Sequence, residues 1–421
     1  MIRICTKNRI KWDLIGWLIV IIFMTDTSYI SINGNGTVSD FADAIIILLT
    51  LICIIKKMRI TKLVLFLSVS VLCTTILTGS IFRLTYYTVI FSIWFCFYFA
   101  EKYTIQDFAE YYLMIMRIIA IGSLVCWLFP KYFVSLSFFP QFTSSTGATY
   151  RFLGITTIPF ATHIQRRNFG PFWEPGTYQV YLCVAIFLLL FVSKKKNKTF
   201  DLILFLIAEV TTMSGASVIP AGIMLAAYLL KERNMKSFFA VLLGCIVMAI
   251  MFDSGIFDSI ILKITGEDSN SSLLFRWIGF EGGIRNFLAH PLFGSSFGEA
   301  QAVRDELALN YIGITYGSNT NTFANYFGSY GIFIGCFFLI ASYQFFKKIC
   351  LSRSVCVIAF VGYFLSTSNE NLTGSLLVIV IAMLGWYGVN HDRELGERFE
   401  KYQAKEISYE QKYMYNSFQS E

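Results

Sequence analysis

Apolar runs of about 16 to 20 residues recur along most of the chain, separated by short polar clusters. Runs of this length can cross a hydrocarbon core of about 30 Å as helices, whereas membrane strands are shorter and alternate in polarity. The pattern therefore predicts an all-α polytopic integral membrane protein. The predicted spans are 13–31, 41–56, 62–80, 83–100, 111–130, 176–193, 200–214, 217–231, 237–253, 320–346, 354–368 and 373–390.

One pair of these spans is short. The 33 residues of 199–231 must hold two crossings and a turn, which leaves about 15 residues for each helix. A re-entrant hairpin, which enters and leaves the membrane on the same side, fits these residues equally well. The prediction is therefore about 12 transmembrane helices, or 10 plus a re-entrant hairpin.

The distribution of Lys and Arg predicts the orientation of these spans. With the N-terminus inside, 24 of them fall in inner segments and nine in outer segments. This bias follows the positive-inside rule and places both termini in the cytoplasm. Only 14% of residues are charged and 56% are hydrophobic, so the net charge of +7 reflects clusters at span ends. The lipid bilayer, and no nucleic acid, is the expected partner.

This topology divides the chain into N-terminal helices 1–130, an outer loop 131–176, central helices 177–253, a large outer loop 254–319, C-terminal helices 320–390 and a cytosolic tail 391–421. The two outer loops hold eight of the nine outer cations. Loops of this length are uncommon unless they are functional or disordered. Both mix aromatic residues with Gly and Pro, which is not typical of disorder, so we expect functional residues in them.

The first loop ends in a compact polar motif that contains Arg166, Arg167 and Glu174. Arginine presents a planar fork of donors that suits phosphate oxygens. The Pro175-Gly176 pair then opens a span, which places the carboxylate of Glu174 at a helix N-terminus. The motif thus predicts an anion-binding site. An Arg–Glu ion pair that only shapes the loop is the alternative, and the two roles are compatible.

The second loop contributes Arg276, Arg285 and His290. On one straight helix Arg276 and His290 share a face, but they lie about 21 Å apart, while Arg285 points to the other side. The Gly282-Gly283 pair offers a break that could bring the first two closer together. His290 precedes a proline and is a candidate general base, although a polar loop residue is an equal alternative.

Three further residues are candidates for binding sugar hydroxyls: Asn319, Asn321 and Glu370. Helix capping is the simpler explanation for the two asparagines, because they precede a predicted span. The sequence has no phosphate-binding glycine loop, no zinc-ligand spacing and no Asp-x-Asp pair. We therefore expect no metal and no cofactor.

The order of these motifs resembles that of the O-antigen and capsule repeat-unit polymerases (Wzy-type), within the O-antigen polymerase and ligase superfamily. The stretch Arg167…Gly170-Pro171-Phe172-Trp173-Glu174-Pro175-Gly176 is similar to their R-x-x-G-x-F-x-E-P-G pattern before a span. Arg276 with Asn286…His290-Pro291-Leu292-Phe293-Gly294 resembles their large outer loop. Ser295 and Ser296 depart from the Gly-x-Gly often found in that turn. The likeness covers about residues 150–390.

The resemblance implies a fold related to the lipid-dependent (GT-C-like) glycosyltransferases and a place in the bacterial inner membrane. It implies metal-independent glycosyl transfer between undecaprenyl-diphosphate-linked oligosaccharides, which serve as donor and acceptor. A chain-length regulator is a candidate partner. A related O-antigen ligase, or a transporter or flippase of lipid-linked sugars, is an alternative.

The chemistry of such a transfer suggests a role for each candidate residue. A departing diphosphate needs fixed positive charge, and an attacking hydroxyl needs a base. The expected diphosphate clamp is Arg167 and Arg276, with Arg166 and Arg285 in reserve. The expected base is His290 or Glu174.

Overall fold

The computed structural model of the protein describes residues 16, 44, 46–52, 60–143, 149–160, 167–214, 218–232, 267–317, 319–350 and 352–387. The predicted spans 13–31 and 237–253 lie almost wholly outside these residues, as does half of 41–56. The predicted tail 391–421, the start of the 254–319 segment and Arg166 also lie outside them.

The described chain is mostly helical. Its helices are α1 (Lys62–Leu77), α2 (Leu84–Lys102), α3 (Ile105–Leu128), α4 (Pro130–Val134), α5 (Pro175–Phe191), α6 (Thr199–Thr211), α7 (Val218–Glu232), α8 (Glu267–Ala289), α9 (Phe297–Ile312), α10 (Thr322–Ile349), α11 (Arg353–Thr367) and α12 (Leu376–Tyr387). Its strands are β1 (Gln141–Thr143), β2 (Thr149–Phe152) and β3 (Thr157–Pro159).

Three of the described helices, α2, α3 and α10, are long and apolar enough to cross a membrane. Helices α1, α5, α7, α11 and α12 are also apolar but have 10 to 17 residues in their apolar part. The helical class of the fold is thus confirmed for the described residues. The number of spans and their orientation stay predictions.

Helix α5 forms the centre of the helical core. All of its residues from Pro175 to Phe191 are buried. A helix that is apolar on every side must be enclosed by neighbours, and α5 is surrounded by α3, α6, α7 and α11. The N-terminus of this enclosed helix carries the Glu-Pro-Gly motif of the sequence.

The 131–176 segment contains a small antiparallel sheet, which the all-α prediction did not include. Strand β2 lies in the middle, with Arg151 opposite Gln141 of β1 and Ile158 of β3. The N–H of Thr157 in β3 donates to the carbonyl oxygen of Gly170 at 2.7 Å. The sheet therefore supports the chain just before the Glu-Pro-Gly motif.

Helix α8 is continuous through Gly282-Gly283, so the expected break is wrong. These glycines serve close packing instead. A Cβ on Gly283 would overlap Ala324 of α10, and a Cβ on Gly279 would overlap Thr320 just before it. The face of α8 that carries Gly279 and Gly283 therefore packs directly against the start of α10.

A second polar group lies at the opposite end of α5. Asp201, at the start of α6, accepts two hydrogen bonds from Arg117 of α3 at 2.6 and 2.7 Å, and one from Lys195 at 2.8 Å. The carboxylate is 4% exposed, whereas the arginine and lysine side chains are 28% and 46% exposed. This ion group ties α3 to the α5–α6 connection.

Candidate functional site

Arg167 is held in place by the segment that follows it. The side-chain amide of the buried Asn168 donates to the hydroxyl oxygens of Ser123 and Thr211 at 3.2 and 3.0 Å. The Nε–H of Arg167 donates to the carbonyl oxygen of Thr212 at 3.0 Å. Within the described part of the chain, its two terminal nitrogens donate to no other residue. The guanidinium is thus anchored at one corner, and its outer edge is left for a ligand.

Glu174 is the N-cap residue of α5. Its backbone is extended, at φ −138° and ψ 149°, because the next residue is a proline. The side chain makes no capping hydrogen bond to the helix. It is accessible to solvent and yet surrounded by protein on most sides, as expected for a group in the wall of a cleft.

Gly176 makes room for a second carboxyl group at the same helix end. A Cβ at this position would collide with the carboxyl oxygen of Glu370. Only glycine therefore allows the Glu370 side chain to lie against the first turn of α5. The Glu370 carboxyl therefore lies two residues beyond Glu174, close enough for the two carboxyl groups to interact.

Glu370 lies in the turn between α11 and α12 and is 7% exposed. The buried hydroxyl group of Thr322, in the first turn of α10, fastens this turn. It lies 2.8 Å from the carbonyl oxygen of Glu370 and 2.9 Å from that of Thr367, and it accepts from the N–H of Leu372 at 3.0 Å. Helix α10 thereby determines where the Glu370 carboxyl lies.

Arg276 reaches the same place from α8. It precedes Gly279 and Gly283 by three and seven residues, so it shares the face of α8 that packs against the start of α10. Its charge interacts with Glu370, Glu174 and Arg167. We call Arg167, Glu174, Arg276 and Glu370 the Arg–Glu cluster.

Burial and mutual charge perturb all four members. Burial, followed by the charge of Glu174, raises the pKa of Glu370 well above its ordinary value. Burial also raises the pKa of Glu174. The interaction with Glu370 and the positive charges of Arg167 and Arg276 oppose this shift. Burial lowers the pKa of Arg167 and Arg276, and the carboxylates partly offset the effect. Arginine nevertheless stays charged at any physiological pH.

This arrangement suits an anionic ligand. Two guanidinium groups supply fixed donors for phosphate oxygens. Two ionised carboxylates would cancel their charge, but a proton held between Glu174 and Glu370 leaves the cluster with a net charge of about +1. The cluster thus combines a cationic surface with a carboxyl pair that can exchange a proton.

The structure does not bring Arg285 or His290 to the Arg–Glu cluster. Arg285 donates to Glu281 on the same helix at 2.7 and 3.0 Å, and its side chain is 49% exposed. His290 follows the last residue of α8 and is exposed. Along a continuous helix it lies about 21 Å from Arg276.

The three sugar-binding candidates have different surroundings. Asn321 caps α10, because its side-chain oxygen accepts from the N–H of Ala324 at 3.0 Å. The side-chain oxygen of Asn319 is buried and has no hydrogen-bond partner among the described residues. Glu370 belongs to the Arg–Glu cluster. The residues next to it in the sequence gave no sign of this. Only the structure shows that Gly176 makes room for this side chain.

No protein-family model, no curated protein and no solved structure matches this chain. In the part of the chain that the structure describes, no group of three or more His, Cys, Asp or Glu side chains is placed to hold a metal ion. The geometry and charge of the Arg–Glu cluster therefore carry the functional argument.

Proposed function

We propose that the protein is an oligosaccharide repeat-unit polymerase. It would join undecaprenyl-diphosphate-linked oligosaccharides into O-antigen, capsular polysaccharide or exopolysaccharide at the outer face of the bacterial inner membrane. The observation that carries the proposal is the convergence of Arg167 and Arg276, from the two long loops, on a carboxyl pair at the N-terminus of α5.

The arginines would hold the departing diphosphate. Outside the cytoplasm there is no nucleotide to drive the transfer, so the lipid diphosphate is both the energy source and the leaving group. Negative charge grows on its bridging oxygen in the transition state, and donors fixed in advance stabilise that charge. Arg167 is already anchored through Nε to the carbonyl oxygen of Thr212, so little reorganisation is required.

A carboxylate would take up the proton of the acceptor hydroxyl. Glu174 is the candidate in the cluster that solvent, and hence a sugar, can reach. His290, the other candidate, lies too far along α8 to act on a sugar held by Arg276. The proposal therefore assigns the base to Glu174.

The first test removes the clamp in the bacterium that carries the gene. We would replace the gene with variants Arg167→Ala, Arg276→Ala and the corresponding lysine variants, with Arg83→Ala as the matched control. Arg83 is an exposed arginine at the start of α2, outside the cluster. Chain length would be read from surface polysaccharide on a gel, with membrane content checked by immunoblot.

We expect both alanine variants to leave only single repeat units on the surface, while Arg83→Ala makes normal chains. Lysine should restore little, because it lacks the bidentate fork. Polymer that accumulates on its lipid without reaching the surface would indicate a ligase, and repeat units trapped inside the cell would indicate a flippase. Long chains in both alanine variants would contradict the clamp.

The second test is direct. Purified protein would be mixed with lipid-linked repeat units extracted from the deletion strain, and the products separated by size. We expect a ladder that grows with time, and a rate reduced about 10²- to 10³-fold when either arginine of the clamp is alanine. No ladder from the wild-type protein would overturn the proposed function.

A further inference from the structure

Two carboxyl groups in contact are unusual unless a proton lies between them. The Glu370 carboxyl lies against Gly176, two residues after Glu174, and the two carboxyl groups interact. Like charges close together repel, and burial opposes a charge on Glu370, whose turn is held by Thr322, so a proton on one of the two carboxyl groups is favoured.

We infer that Glu174 and Glu370 share one proton and act as a single acid–base pair. In this pair Glu174 is the catalytic base that receives the proton of the sugar hydroxyl, and Glu370 is the positioning residue that keeps the shared proton. The catalytic half of this inference rests on the proposed function, whereas the shared proton does not.

The exposure of the two groups assigns their roles. Glu174 is accessible to solvent and makes no bond to the backbone of its own helix. Glu370 is 7% exposed and lies behind it, against the first turn of α5. A substrate hydroxyl can therefore reach the outer oxygen of Glu174 but not Glu370.

The groups around the pair favour one negative charge. Among the described residues, the charged or titratable side chains that face it are Arg167, Arg276 and Tyr150 of β2. The two arginines stabilise one carboxylate, while burial opposes a second, which agrees with the raised pKa of Glu370. A coupled pair of this kind loses its two protons in two separate steps.

The acceptor hydroxyl oxygen forms a bond to the anomeric carbon of the donor sugar, and its proton passes to the outer oxygen of Glu174. The bond between that carbon and the diphosphate oxygen breaks, and the electron pair leaves with the lipid diphosphate beside the two arginines. Both carboxyl groups are then protonated, and Glu174 releases its proton to water.

The test is the pH dependence of the polymerisation rate in three proteins. The wild type should be active only between the two proton losses, which gives a bell-shaped profile. In Glu370→Gln the amide donates permanently to Glu174, so the alkaline limb should disappear while the acid limb remains. Glu174→Gln should lose activity about 10²- to 10⁴-fold at every pH. Glu306→Gln, an exposed carboxyl on α9, is the matched control and should keep the wild-type bell.

An infrared titration of the same proteins reports the proton without any substrate. The carbonyl stretch of a protonated carboxyl should have the same intensity at neutral pH in the wild type and in Glu306→Gln, and should lose the share of one carboxyl in Glu370→Gln. The buried Glu209 of α6 adds a band that is common to all the proteins and cancels in the difference between their spectra. If Glu370→Gln does not fold, Gly176→Ala, which moves the same carboxyl away from its place against α5, replaces it in the measurement of the pH profile. An alkaline limb that survives in the variant, with a carbonyl band of undiminished intensity in Glu370→Gln, would overturn the inference.

The two measurements also separate this inference from the proposed function. A shared proton in a wild-type protein that makes no ladder would refute the polymerase and keep the pair. A normal ladder without the loss of carbonyl intensity in Glu370→Gln would refute the pair and keep the polymerase.

Discussion

Replacing Gly176 by alanine is the smallest change that tests how the Arg–Glu cluster is built. The new methyl group would occupy the place of the Glu370 carboxyl oxygen, against the first turn of α5. The helix itself tolerates alanine well. The carboxyl group is the end of a flexible side chain and would turn aside, so the change acts on the cluster and spares the backbone.

We expect a small cost in stability and, on the proposed function, a large cost in rate. Alanine favours a helix over glycine by about 0.5–1 kcal/mol, which offsets part of the cost of moving the side chain. We therefore expect the free energy of unfolding to change by no more than about 1 kcal/mol. The carboxyl would move by on the order of 1 Å, and a displacement of that size can reduce a rate about 10²-fold.

The assay pairs melting temperature in detergent with the initial rate of ladder formation. Gly298→Ala is the matched control, because Gly298 is likewise the second residue of a helix, α9. A Cβ there would meet only the Ser296 hydroxyl, at an ordinary 3.8 Å. Gly298→Ala should keep the full rate. Wild-type activity in Gly176→Ala would refute the placement of Glu370 against α5.

Three other variants test separate parts of the structure. Thr322→Val removes the hydroxyl that fastens the Glu370 turn, so we expect a loss of about 1–3 kcal/mol of stability and a lower rate, measured by melting and ladder assays. Asp201→Asn should lower stability by about 1–3 kcal/mol, discounted for the partly exposed Arg117, without altering the pH profile of the rate. His290→Ala should polymerise normally in the ladder assay, because it lies outside the cluster.

Each of these expectations can fail in a specific way. Thr322→Val with the wild-type melting temperature would mean that the turn is held by other contacts. An Asp201→Asn protein with the wild-type melting temperature would show that the ion pairs of Asp201 with Arg117 and Lys195 contribute nothing measurable to stability. An inactive but folded His290→Ala protein would show that His290, and not Glu174, is the catalytic base.

The helical class could be predicted from sequence because apolar runs of membrane length leave few other structures open. Arg167 and Glu174 could be found for a related reason: the positive-inside rule leaves outer segments poor in cations, so a charged motif in a predicted outer loop draws attention. The sheet was missed because its strands have only three or four residues, too short for an alternating pattern to show. The Gly282-Gly283 pair was misread because glycine signals both a helix break and close packing, and only the neighbouring α10 decides between them.

Glu370 illustrates what a single sequence cannot reveal. It was recognisable as a polar residue in a short turn, and a role in sugar binding was a fair expectation. Its contact with Glu174 depends on three separate packing events, namely the enclosure of α5, the seating of α8 on α10 and the bond from Thr322 to the turn. None of these leaves a local pattern in the chain.

The enclosure of α5 has a consequence for how such an enzyme could cycle. A helix with neighbours on every side cannot tilt or slide without disturbing all of them, so both of its ends keep fixed positions in the molecule. On the proposed function, spent lipid would nevertheless leave and fresh lipid would arrive after every round of addition. Any movement that this exchange requires therefore has to come from parts of the molecule other than α5, while Glu174 stays at the fixed end of that helix.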